Sequence, residues 1–450
     1  MIRKRKMKTV MLQLLTLILV FIIMPACCSA SAGDDIEAGA PGIIGVTVGD
    51  TSTADTGTSG GSSVGSVGAT GGSFVGNSGM NEGSDITSDM IEQQLSSSDT
   101  GDIGDLISKY ANSKDIEALE GFDPDELIKN ITEGKLSFDI KGIADDILKL
   151  FFKELYQNLG IILKLAILIV ICSLLKNLQA NFLNENVSRI AFYVCYIVIV
   201  TILLVSFGTV VKMGSSIIDR MVGFMYAVIP VLMALLISGG NLTAGGILHP
   251  VLLMVVEVTA TLIKNLFVPL IFLTTIINIV NNISEKIQLT RLANLIKTVV
   301  QWMLGIILTA FIIIVTLQGT LGAVIDGATT KATKFAISTF IPVIGKTLSD
   351  AADTVIACTL LIKNAAGVAA MIGILLICVV PLIKIIALVA LYKAASALFE
   401  PISESRITTC INDVAGSMLY IFSLTAAVAF MFMISVTALV SAGNTSAMLR

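Results

Sequence analysis

After residue 158 the chain is a succession of apolar stretches, each close to the length of a bilayer crossing, with short polar interruptions. Coarse spans lie at 159–175, 190–211, 221–238, 247–264, 266–283, 295–317, 366–380, 381–398 and 414–440. Several fall short of the ~20 residues that a straight crossing needs. Pro230, Pro250, Pro269, Pro342 and Pro381 break the periodicity. Neighbouring short spans are therefore separate helices or halves of broken or re-entrant ones, which survive at membrane depth only inside protein or beside water. The pattern predicts an all-α polytopic membrane protein, its multi-pass domain at 159–441, with roughly six to nine membrane helices.

Ahead of the spans the rhythm changes. Met1–Lys8 is basic, Val10–Met24 is apolar, and Pro25-Ala26-Cys27-Cys28-Ser29-Ala30 follows with small residues. That order predicts a secretory signal peptide over 1–30, with an uncleaved anchor helix as the alternative. Either way the following segment is expected outside the cytoplasm. Residues 31–104, with their Gly/Ser/Thr-rich run, cannot bury enough apolar surface to offset the entropy of ordering and read as a disordered extracytoplasmic tether. Residues 105–158 read as an acidic helical segment, extracytoplasmic or interfacial. Within it Asp123-Pro124-Asp125-Glu126 supplies a helix start. From Ile140 to Leu159, Ile143, Ile147, Leu150, Phe151 and Leu155 recur at helical spacing against charged residues. That amphipathic helix runs directly into the first span and suits either a membrane surface or a partner.

Charge separates the same regions. Residues 1–8 carry five Lys/Arg and no acid, a charge of +5; residues 33–155 carry 23 Asp/Glu against seven Lys, or −16; residues 156–450 carry 17 Lys/Arg against 10 Asp/Glu, or +7. The net −4 is thus a sum of three unlike parts, and the acidity of one segment gives no case for nucleic acid. A single histidine, His249, leaves no room for a His-based metal or catalytic system. The seven cysteines show no CxxC spacing, and no Walker loop, GxSxG or strand-linked GxGxxG occurs. The reading is a non-enzyme without catalytic, cofactor-binding or metal residues.

Two echoes run through the membrane part. Ile229-Pro230-Val231 and Ile341-Pro342-Val343 lie 112 residues apart, as do Pro269-Leu270-Ile271 and Pro381-Leu382-Ile383. They suggest repeats over 188–285 and 290–398, a plan that transporters use for gating. Lys176, Arg189, Lys286, Arg291 and Lys297 would be cytoplasmic by the positive-inside rule. Gly319–Gly367 mixes charges with short apolar stretches and reads as interfacial or re-entrant.

Few residues are candidates for function. Glu257 interrupts an apolar run and Lys264 follows two turns later, nearly on one face and about 10.5 Å along the axis. His249 opens the same segment. An ionisable group at mid-bilayer costs at least ~2.5–3.5 kcal/mol on insertion scales, so it faces a partner or a wet cavity. These three are candidate polar membrane or conduit residues; the plainer reading has Glu257 paired locally and Lys264 snorkelling. Asn278, Asn281 and Asn282 suit hydrogen bonds between helices, and the small face Ala365, Ala369, Gly373 suits close packing.

The run Lys334–Lys346 (KFAISTFIPVIGK), continuing through Leu348–Val355, resembles the stage III sporulation protein AE family, as do Lys363-Asn364-Ala365-Ala366-Gly367 and Pro381-Leu382-Ile383-Lys384-Ile385. The resemblance covers about residues 140–445. It singles out Phe335, Pro342, Gly345, Asp350, Asp353, Lys363, Asn364, Gly367 and Pro381 as a structural or partner motif. It implies a multi-pass component of a channel or secretion-like complex in the mother-cell membrane around the forespore, needed for endospore development. The implied partners are membrane lipid, other membrane proteins of the same sporulation operon and a forespore protein; a homo-oligomer stays open. The alternative is a stand-alone secondary transporter using Glu257 and Lys264.

Overall fold

A computed structural model describes residues 100–110, 140–182, 185–283, 289–340 and 345–448. The chain divides into two compact units, Met1–Ser88 and Asp89–Arg450, and every described residue belongs to the second. The signal peptide, most of the tether, the Asp123–Glu126 helix start and Pro342 lie outside the described residues. So do the side chains of His249, Asp350 and Asp353, which sit on helices.

The described elements are helical: α1 (Thr100–Tyr110), α2 (Ile140–Phe182), α3 (Glu185–Ser238), α4 (Leu242–Leu262), a π-helical segment (Ile263–Phe267), α5 (Val268–Ile283), α6 (Thr290–Phe340), α7 (Gly345–Phe399) and α8 (Ser405–Met448). Because α4, the π segment and α5 are continuous, the bundle has six rods, each long and apolar enough to cross a membrane. α1 begins inside the stretch read as tether. In α2 the amphipathic stretch and the first span are one helix of 43 residues.

Nine apolar stretches thus become six rods, the lower end of the expected range. The pairs 190–211 with 221–238, 247–264 with 266–283, and 366–380 with 381–398 are each joined within one rod. Pro230, Pro250 and Pro381 sit inside helices. A proline removes one backbone donor, which a helix surrounded by others tolerates. At the join beside Pro269 the helix widens instead of reversing: the N–H of Val268 reaches back five residues to the carbonyl of Ile263. The stretch read as interfacial or re-entrant continues α6 from Gly319 to Phe340, and α7 starts at Gly345. Within it Thr329, Thr330 and Thr333 donate to carbonyls of their own helix four residues earlier at 2.9–3.0 Å.

Where the chain reverses, the causes are local. Two residues past the end of α3, Gly240 has a φ of 78°, the left-handed conformation that terminates helices and favours glycine. Asn241 is buried there and donates to the carbonyls of Leu236 and Gly239. Before α6, Asn281 accepts the N–H of Leu289 at 2.8 Å and donates to Thr290 Oγ1 at 2.9 Å.

Successive rods run antiparallel. Asn282 meets Asp413 and Gln301 meets Tyr420 near one end. Lys363 meets Val440, and the side chains of Leu236 and Lys363 crowd the site of a Cβ on Gly443, near the other. We call the first the basic end, since Arg291, Lys297 and Arg406 lie beside it; the second is the glycine-turn end. α8 forms the centre, with Cys410, Ile411, Val414, Met418, Ile421, Val428, Met431, Phe432 and Val436 all at 0% exposure. Small residues allow this approach: a Cβ on Gly214 would lie 2.7 Å from Ile421.

Candidate functional site

Glu257 and Lys264 stand on α4 and the π segment, one after the other, and the structure pairs neither with the other. Each is met by α3. Tyr226 donates its hydroxyl to Glu257 at 2.7 Å, and Thr261 adds a second bond at 3.2 Å. Lys264 forms an ion pair with Asp219 at 2.6 Å. Residues 219 and 226 are seven apart, as are 257 and 264, so two antiparallel helices bring two pairs into register. The widened π turn carries Lys264, and such single-turn widenings recur where a side chain is re-aimed. The lane is on the outer side of the bundle, with Asp219 56% and Lys264 36% exposed at the side chain.

The second polar feature is internal. Lys363 on α7 is 1% exposed, and its ammonium donates to the carbonyl of Val440 on α8 at 2.9 Å. Gly443, one turn beyond Val440, leaves the space that the ammonium occupies, and Gly367 does the same for the Val440 side chain. Asn364 follows Lys363, its Oδ1 buried and without a hydrogen-bond partner among the described residues.

Near the basic end Asn282 donates to Asp413 at 3.1 Å. Lys297 lies 5.8 Å from the Tyr420 ring centroid, and Gln301 donates to the Tyr420 hydroxyl at 3.0 Å. These contacts tie α5, α6 and α8 together.

Among the residues singled out from sequence, Glu257 and Lys264 share the outer lane, and Lys363 and Gly367 share the α7 face on α8. Phe335 points outward, 72% exposed, and is not part of that face. Gly345 opens α7 and Pro381 lies within it. His249 lies on α4 with its side chain outside the described residues, so it joins no arrangement here. The small face is internal: Ala369 is buried, and a Cβ on Gly373 would lie 2.6 Å from Phe224 and 2.9 Å from Ile107. Sequence reasoning missed Asp219, Tyr226 and Asp413. The signal was present for two of them, because Asp219 is the single acid between Glu185 and Glu257, and Asp413 is the last acid in the chain.

Among the described residues no three His, Cys, Asp or Glu side chains gather to hold a metal ion. The polar contacts described above tie neighbouring helices together. With six rods of membrane-crossing length, this is a polytopic α-helical membrane protein. The profile of the stage III sporulation protein AE family matches residues 122–443, and the chain belongs to that family. The stage III sporulation protein AE of Bacillus subtilis (strain 168) is 34% identical over 317 residues, 70% of this chain and 79% of that one. No solved structure matches. The protein is therefore a sporulation membrane protein of that family.

Proposed function

We propose that this chain is the multi-pass platform of a channel or secretion-like complex in the mother-cell membrane surrounding the forespore, working without catalysis of its own. The observation that carries the reading is the family match, which spans almost the whole bundle. The architecture supports it. With six crossings the start of α2 and the end of α8 share one side, and in this reading the basic end faces the cytoplasm, as the positive-inside rule asks. The N-terminal acidic segment then faces the space between the two cells. Lipid, membrane proteins of the same operon and a forespore protein are the partners in this reading.

The transporter alternative places substrate near the midplane between repeats. Here the paired acid and base lie on the outer side of the bundle, which counts against it. The segments 188–285 and 290–398 each contain one helical hairpin starting at the basic end, so a repeat between them would be parallel and not inverted.

Deleting the gene should block endospore formation, and the tagged full chain should co-purify with other membrane proteins of its operon. Normal spore yield in the deletion strain would overturn the proposal. So would transport of a solute by the reconstituted chain alone, driven by an ion gradient.

A further inference from the structure

We propose that the bilayer clasps only the basic half of the bundle, and that the other half, with the Asp219–Lys264 and Tyr226–Glu257 lane and α1, stands in water. On two neighbouring rods, α3 and the one formed by α4, the π segment and α5, charged side chains reach the outward side in one half and not in the other. On α3 it is apolar at Ile190, Val198 and Val205, then turns to Lys212, Ser216, Asp219 and Tyr226. On the antiparallel rod Glu257 and Thr261 are exposed together with Met254 and Val258, and from Leu266 through Leu273 to Val280 the large exposed side chains are apolar only. Phe207 stacks on Phe272 with centroids 5.8 Å apart, so the two apolar sides lie level. Ile190–Val211 spans about 33 Å of helix and Leu266–Ile283 about 27 Å. A hydrocarbon core is about 30 Å thick. One bilayer therefore fits the apolar girdle and leaves the rest uncovered.

α1 gives an independent measure of the same level. It docks through Ile107, 2% exposed, and through Tyr110, whose ring sits edge-on to Phe224 at 6.3 Å. Its opposite side exposes Asp105, Ser108 and Lys109. The docked side lies against Gly223 and Phe224, which places α1 level with the Tyr226–Glu257 bond and about 17–18 Å beyond Lys212 along α3. Hydrocarbon at that depth would have to accommodate Asp105 and Lys109 with the lane's charges, and exposed ionisable side chains are excluded from it. α6 keeps apolar side chains exposed as far as Ile325, past the level at which α3 and α4 present their charges. Which compartment the emergent half faces rests on the topology proposed above. The position of the girdle does not.

Single cysteines carrying a bimane fluorophore, in an otherwise cysteine-free full chain, test this in nanodiscs of phosphatidylcholine brominated along its acyl chains. V198C, L273C and I306C should lose most of their fluorescence relative to unbrominated lipid. S216C, A234C and T261C should keep theirs. Variants that elute like the parent chain are compared, so a folding defect is seen separately. Quenching at positions 216 and 261 as strong as at 198 would overturn the proposal, whatever the deletion strain does.

Discussion

A lysine held between two helices with one carbonyl for its ammonium is costly unless its charge is well solvated, and Lys363 has this arrangement with Val440. A straight apolar side chain of similar length fills the same space without the charge. Lys363→Met is therefore expected to melt at or above the parent's temperature in detergent. Lys363→Ala leaves a void and should cost about 2–3 kcal/mol. A Met variant melting below the Ala variant would contradict this account, whereas a stable Met variant that fails to support sporulation would mark the amine itself as functional. The outer lane behaves differently. Lys264 and Asp219 are exposed in part, so a double-mutant cycle on Asp219→Ala and Lys264→Ala should give a coupling of about 0.2–1 kcal/mol in nanodiscs. A coupling several times larger would place the pair in hydrocarbon. At this scale the sequence was informative about identity and silent about company. Lys363 and Gly367, one turn apart, were legible as a unit; Gly443, which makes room for the ammonium, lies 80 residues along the chain.

Among the elements, α1 shows how a short helix is held by what its neighbours omit. Gly223 and Gly373 leave the hollows that Tyr110 and Ile107 fill. Gly373→Leu would put a branched side chain where Ile107 and Phe224 already lie, while α7 itself remains a helix. The expected outcome is faster hydrogen exchange and easier proteolysis at residues 100–110, with the bundle's own protection little changed. Unaltered exchange in α1 would mean that it is held by other contacts. The elements also show why proline misled as punctuation. In water a proline inside an apolar run commonly marks a break. In this bundle Pro230 and Pro381 lie in rods packed against others, and the rods continue. The run at Lys264-Asn265 was legible as an irregularity, yet its form, a widened turn and not a reversal, was not.

The described bundle is an even set of antiparallel rods, which has a consequence for sidedness. Thr290 and Ser403 stand at the basic end, Ser238 and Ser441 at the other. Cysteines introduced at the first two should react with a membrane-impermeant maleimide from one face of the membrane, and those at the last two from the opposite face. Labelling of all four from one face would refute six crossings. The central place of α8 belongs to this scale as well: its stretch 414–440 has no charge and no strong single face in sequence, because it is surrounded.

What the sequence determined alone is the medium and the class. Long uncharged stretches are more stable in lipid than in water whatever their neighbours, and only helices satisfy their backbone there without help from other segments. The family resemblance was legible for a similar reason, as a local run of residues. The tertiary structure decided how many stretches share a rod, which ends lie together, and which polar groups meet. Those outcomes depend on surfaces contributed by distant segments: Tyr226 for Glu257, Asp219 for Lys264, Val440 for Lys363. No local pattern encodes a partner that packing alone brings within reach.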